Sequence, residues 1–168
     1  AAPVINAFPS DVNLIAGNDT AIVIATENAT GIRWQINDGS GWKYVRDTTP
    51  FFGSGLNTLH IFDISTDYDG YQLQCEVYNA SGSVTSSSLT INLTTFDQET
   101  IYITETGSGN QNGKAWSNAM PGEKLQSAIF MMDQRGDGKI WLAQGTYYPT
   151  KSIYMYTRSN PRNKRLEI

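Results

Sequence analysis

Side chains that commonly do chemistry are scarce in this chain. It holds one histidine, His60, and one cysteine, Cys75. His60 sits in an alternating strand pattern, so neither a histidine metal cluster nor a His-based triad is read from it. Cys75 has no partner for an intrachain disulfide and no neighbouring histidine or cationic cluster to favour its thiolate, so it reads as a core thiol. The glycine-rich stretch from Thr106 to Gly113 precedes Lys114 in the manner of a phosphate loop. A phosphate loop would need Gly at 108 and Ser or Thr at 115, where the chain has Ser108 and Ala115. Asp67-Tyr68-Asp69-Gly70 offers carboxylates but lacks the distal glutamate of a calcium loop, and it reads as a turn. Arg135-Gly136-Asp137 is an integrin-type tripeptide placed where a helix should stop, and it too reads as a turn. No catalytic, metal-binding or cofactor-binding residue is expected.

Aromatic side chains remain, because exposed rings stack on sugars. Trp42, Tyr44, Phe51, Phe52, Tyr147, Tyr148, Tyr154 and Tyr156 are the candidates. Strand alternation assigns Trp42 and Tyr44 to packing; of the others, Tyr147 and Tyr148 are the expected carbohydrate contacts. Asn18, Asn28, Asn79 and Asn92 begin Asn-x-Ser/Thr sequons, read here as Asn- and Thr-rich turns.

Composition narrows the setting in which these residues work. Only 17% of the 168 residues are charged, while Asn, Thr, Ser and Gly are abundant, a mix suited to β-rich extracellular modules. Residues 1–94 hold three basic groups against nine acidic ones, a balance of −6. Residues 151–168 hold five basic groups against Glu167, a balance of +4, and read as a solvated tail. An acidic module without a basic stripe argues against nucleic acid as a partner. No apolar run is long enough for a membrane span.

The pattern changes near residue 100. Before it, short alternating segments recur between turns: Asn13–Ala16, Thr20–Thr26, Gly31–Ile36, Trp42–Val45, Thr58–Phe62, Tyr71–Val77 and a closing strand from Ser83 to Leu93. Trp34-Gln35, Trp42, Leu59-x-Ile61, Asp69-Gly70-Tyr71 and Cys75, in that order, resemble an immunoglobulin-like domain of bacterial surface proteins. Two departures stand out. Thr20–Thr26 lacks the first-sheet cysteine of disulfide-bonded relatives, and Leu73 replaces the tyrosine of the usual corner. Packing must therefore do the work of the cross-link.

After it come a β-branched strand, Thr100–Thr104, the glycine-rich loop, and Trp116. Pro121 fits a first helical position. Leu125, Ala128, Ile129 and Met132 form an apolar stripe at helical spacing. Gly136 and Gly138 should stop that helix before the strand Lys139–Ala143 and the turn Gly145-Thr146-Tyr147-Tyr148-Pro149. This succession resembles the N-terminal cap of right-handed parallel β-helix proteins, a fold shared by pectate-lyase-like enzymes and large bacterial adhesins. In such a cap, a helix laid across the open end shields unpaired backbone groups and apolar side chains. Arg162–Ile168 is expected to approach the next coil strand. One coil cannot bury its apolar face alone, so the chain is expected to be part of a longer polypeptide.

The expectation is a mainly β chain: an immunoglobulin-like β-sandwich over 1–94, a linker over 95–99, and a helix-capped start of a parallel β-helix over 100–168. The resemblances imply a non-enzymatic module of a secreted or cell-surface adhesin from a Gram-negative bacterium of the Bacteroidota type. Type IX secretion, cell adhesion, and partners among surface glycans or a surface-anchoring complex go with that reading. The alternative is the accessory N-terminal part of a polysaccharide lyase or glycoside hydrolase whose catalytic coils lie beyond Ile168. Asp19-Thr20-Ala21 and Asp47-Thr48-Thr49 resemble the acceptor motif of Bacteroidota O-glycosylation, which makes Thr20 and Thr48 the expected modified residues.

Overall fold

A computed structural model describes residues 1–154 and the strand Leu166–Glu167. The chain divides into two compact units, Ala1–Thr94 and Thr95–Ile168.

The first unit contains β1 (Val4–Ala7), β2 (Val12–Ile15), β3 (Thr20–Val23), β4 (Ala25–Glu27), β5 (Gly31–Asn37) and β6 (Trp42–Tyr44), followed by β7 (Phe51–Phe52), β8 (Thr58–Ile61), β9 (Gln72–Asn79), β10 (Gly82–Thr85) and β11 (Leu89–Thr94). One sheet has the order β2-β11-β9-β5-β6, with β10 also paired to β9; a second has the order β3-β8-β7. Strands β1 and β4 form a separate pair. Every pairing in the unit is antiparallel except that of β2 with β11.

The ladder between β5 and β9 runs in unbroken register from Gly31 opposite Tyr78 to Asn37 opposite Gln72, with Trp34 opposite Cys75. Period-two alternation then sends Trp34, Leu73, Cys75 and Val77 to one face, where all four are fully buried. Ile22, Ile24, Leu59 and Ile61 join them in a single apolar cluster. The indole N–H of Trp34 donates to the Leu56 carbonyl at 2.8 Å, so its one polar atom is satisfied in the core.

Three sequence expectations need correction here. Thr20–Thr26 is not one strand: it splits at Ile24 into β3 and β4, which pair in different sheets. The closing strand is likewise split, because Ser86 interrupts it. Its backbone N–H bonds the Cys75 carbonyl and its hydroxyl accepts from the Cys75 N–H, both at 2.9 Å. Trp42 and Tyr44 are exposed on the edge strand β6 rather than packed.

The second unit contains β12 (Thr100–Thr104), β13 (Met120–Pro121), α1 (Leu125–Arg135), β14 (Gly138–Leu142) and β15 (Leu166–Glu167). They form a parallel sheet in the order β13-β12-β14-β15. Ile101 pairs with Ile140, and both are fully buried together with Ile103. Segment 95–99, read as a linker, is packed into this unit. Phe96 is buried, Asp97 pairs with Lys114 at 2.7 Å, and Glu99 pairs with Lys139 at 3.0 Å.

Pro121 is not the first helical residue. It lies in the edge strand β13, and a 3-10 turn, Gly122–Lys124, separates it from α1. Nor is α1 apolar on one stripe only: Gln126, Ser127, Met131 and Gln134 are buried along with Ala128, Ile129 and Met132, while Leu125 is half-buried. Buried Gln126 acts as a surrogate strand. Its carbonyl oxygen accepts from the Tyr154 N–H at 2.7 Å, and its amide donates to the Tyr154 carbonyl at 3.3 Å. The helix ends at Gly136, whose φ of 98° suits glycine and whose N–H caps the Met132 carbonyl at 2.9 Å.

Leu73→Ala should lower stability by about 2–5 kcal/mol, the usual cost of a cavity in such a core. Val23→Thr, on the exposed face of β3, should change it by less than about 0.5 kcal/mol. Urea denaturation of both variants against the parent checks the contrast.

Candidate functional site

The residues singled out by type scatter, and most are engaged structurally. Burial pushes the Cys75 thiol up to about 12, so it stays protonated and inert at neutral pH. His60 lies exposed on β8, with its ring stacked on Phe62 at 5.8 Å between centroids. Arg135 and Asp137 form an ion pair with each other, which closes the Arg-Gly-Asp triplet on itself. Asp69 accepts from the Leu93 N–H at 2.7 Å, and the Gly70 N–H donates to the Ile91 carbonyl at 2.8 Å; that pair of bonds fastens the turn before β9 to β11. Among the described residues no group of three His, Cys, Asp or Glu side chains is placed to hold a metal.

Thr20 is half-buried at the start of β3, opposite Ile61, whereas Thr48 is exposed. The carboxylate of Asp47, beside Thr48, accepts from the Ser54 N–H at 2.8 Å and the Gly53 N–H at 3.0 Å. Those bonds, that from Ser54 first, hold Asp47 below the usual carboxylate range.

The expected pair of carbohydrate contacts separates. Tyr147 is half-buried, and its hydroxyl donates to the Ala143 carbonyl at 2.5 Å, so it serves as a strut. Tyr148 is 80% exposed. Phe51 is buried in the first core, while Phe52, Trp42, Tyr44 and Tyr154 are exposed. Tyr156 and the basic residues from Arg158 to Arg165 lie outside the described residues.

Around Tyr148 lies a cleft of about 550 Å3, lined by Glu105, Thr106, Gln111, Pro121, Glu123, Thr146 and Tyr148. Its origin is topological. Glu105 and Thr106 directly follow β12, Glu123 follows β13, and Thr146 and Tyr148 follow β14. The three segments therefore leave the carboxyl ends of three neighbouring parallel strands. Glu105 ties them together: its backbone carbonyl accepts from the Gly122 N–H at 3.2 Å, and its carboxylate accepts from the Thr146 N–H. Gly145 permits that approach, since a Cβ there would lie 2.5 Å from Glu105 Cγ. By contrast, no hydrogen bond or ion pair among the described residues engages the Glu123 carboxylate, the Gln111 amide group or the Tyr148 hydroxyl.

Of these lining groups, the sequence pattern points to Tyr148 alone as a contact. Glu105 and Glu123 lie 18 residues apart in the sequence, with nothing local to relate them. The signal that could have found them is positional: each follows an apolar or β-branched segment that becomes a parallel strand.

The strand order of the first unit defines its class. Strands β2-β11-β9-β5-β6 form one sheet and β3-β8-β7 the other, around a tryptophan on β5 and a cysteine on β9. This is an immunoglobulin-like β-sandwich. No family model matches the chain, and no curated protein matches it. Similar solved structures include titin domain M4, at 19% identity and a TM-score of 0.45, covering 55% of this chain and 96% of that one. A Dscam structure is similar at 17% identity and a TM-score of 0.49, over 64% of this chain and 29% of that one. An E-to-A variant of titin I67–I69 is similar at 20% identity and a TM-score of 0.44, over 55% and 32%, so this chain spans about a third of its length.

Two outcomes follow from the titrating groups. Because the folded Cys75 pKa is raised from 9.0 to about 12, its contribution to stability is full below about pH 9 and is lost as pH rises toward 12. Cys75→Ala should flatten that alkaline fall in melting temperature, and the parent thiol should resist iodoacetamide at pH 8 until the protein is unfolded. Asp47 has a lowered folded pKa, so its bonds stabilise above about pH 4, its ordinary range, and are lost as pH falls through the lowered value. An acid NMR titration should place its midpoint below that of an ordinary aspartate.

Proposed function

We propose that the chain is a non-enzymatic module of a large secreted or cell-surface bacterial adhesin. The immunoglobulin-like unit acts as a spacer or interaction domain. The second unit begins a right-handed parallel β-helix, with α1 as the cap over its first coil. The observation that carries this reading is the order of β12, β14 and β15. Each is parallel to the last and follows it in both chain and sheet, Thr100 pairing with Lys139 and Gly138 with Leu166. Stacking of successive passes, one strand per pass, is how a solenoid grows. Buried α1 beside this sheet, with Gln126 and the Glu123 carbonyl strapping residues 150–154 to it, fits the capping role.

The bacterial and Bacteroidota assignments, export by type IX secretion, and O-glycosylation at Thr20 and Thr48 rest on the sequence resemblances. In this reading the partners are the remainder of a longer polypeptide and surface glycans or an anchoring complex.

Antibodies raised against residues 1–94 should label intact cells of the source bacterium, and the native polypeptide should be heavier than residues 1–168. Purified residues 1–168 should release no reducing or unsaturated ends from neutral or acidic polysaccharides. Polysaccharide cleavage by this chain, or a native product of this length kept inside the cell, would overturn the proposal.

A further inference from the structure

We infer that the cleft beyond β12, β13 and β14 is a binding site for a neutral or N-acetylated saccharide. The inference goes beyond the spacer reading, because it assigns a ligand class to one place and does not depend on whether further coils follow.

Position is the first argument. In open α/β sheets, ligands bind in the crevice outside the carboxyl ends of the strands where the strand order reverses, and here β13 and β14 flank β12 on opposite sides. Here the segments at three strand ends deliver all of the described lining residues. The volume of about 550 Å3 falls within the usual range for small-ligand sites, about 300–1,000 Å3.

Chemistry is the second. Saccharides present C–H faces that pack on an aromatic ring and hydroxyls that both donate and accept. Tyr148 supplies an open ring, 80% exposed. Glu123 supplies a carboxylate acceptor, and Gln111 supplies an amide that donates and accepts. All three lack a partner among the described residues, so none must break a bond to engage a ligand. Glu105 differs, because the Thr146 N–H holds it in place. Together with the Tyr147 strut, it sets the shape of the cleft before anything binds, which lowers the ordering cost of binding.

Charge selects among saccharides. Two carboxylates, Glu105 and Glu123, line the cleft, and its described lining residues include no Lys or Arg. Uronate polymers would meet like charge there, so neutral or N-acetylated sugars are favoured. A calcium ion fits worse, because it needs about six to eight oxygens, and one of the two carboxylates is already engaged by a backbone N–H.

Affinity electrophoresis of residues 1–168 tests the assignment, using native gels cast with soluble β-glucan, galactomannan, glycol chitin or polygalacturonate. At least one of the first three should retard the protein, and polygalacturonate should not. Tyr148→Ala and Glu123→Gln should each weaken retardation at least tenfold, whereas Tyr148→Phe, which keeps the ring, and Trp141→Ala, outside the cleft, should retain it. Circular dichroism melts should show the two weakened variants folded, as exposed positions allow. No retardation by any of the three neutral or N-acetylated polymers, retardation by polygalacturonate alone, or binding unchanged in both Tyr148→Ala and Glu123→Gln would overturn the site. Cell-surface labelling is unaffected by any of these results, so failure of the site is distinguishable from failure of the adhesin reading.

Discussion

Without a covalent tie between its sheets, the first unit depends on apolar packing around Trp34. That indole sits opposite Cys75 in the longest ladder among the described strands, and its N–H donates to the Leu56 carbonyl. Ile22 and Ile24 supply the inward positions that β3 and its continuation offer to the same cluster. A disulfide would limit the unfolded ensemble; here the stabilisation comes from close packing in the folded state. The lone thiol is simply one more small apolar group, kept protonated by its burial.

The second unit solves a different problem. Parallel strands cannot be joined by tight turns, so each pass needs a long connection. Those connections must be anchored. Glu105 holds two of them through a carbonyl and a carboxylate, while Gln126 holds a third by presenting its amide as though it were backbone. The cleft is a by-product of this anchoring. Loops fixed at their bases but short of one another leave a concave surface between them, furnished with whatever side chains their tips carry.

Much of this was legible in the sequence where the signal is local. Alternation around Trp34 and from Leu73 to Val77 identifies inward faces because a strand has period two. Gly136 marks the helix end because only glycine adopts its conformation without strain. Failures occurred where tertiary context decides. Ser86 looks like any residue of a Ser- and Thr-rich strand, yet its hydroxyl takes the Cys75 N–H and breaks the run. Trp42 and Tyr44 alternate correctly but lie on an edge strand, and periodicity cannot tell an edge from a centre. The α1 stripe suggested one buried face, whereas the helix is covered on several sides. Of the cleft, Tyr148 could be suspected from composition, but Glu105, Gln111 and Glu123 converge only through the parallel register.

Strand β13 is two residues long, and its second residue, Pro121, has no N–H to offer a neighbour. A parallel sheet is a template on both of its margins, and an unblocked margin recruits any extended chain nearby. Here one margin is short and lacks one of its N–H donors, with β12, β14 and β15 on its other side. A proline misread as a helix start works instead as a guard on the edge of the sheet.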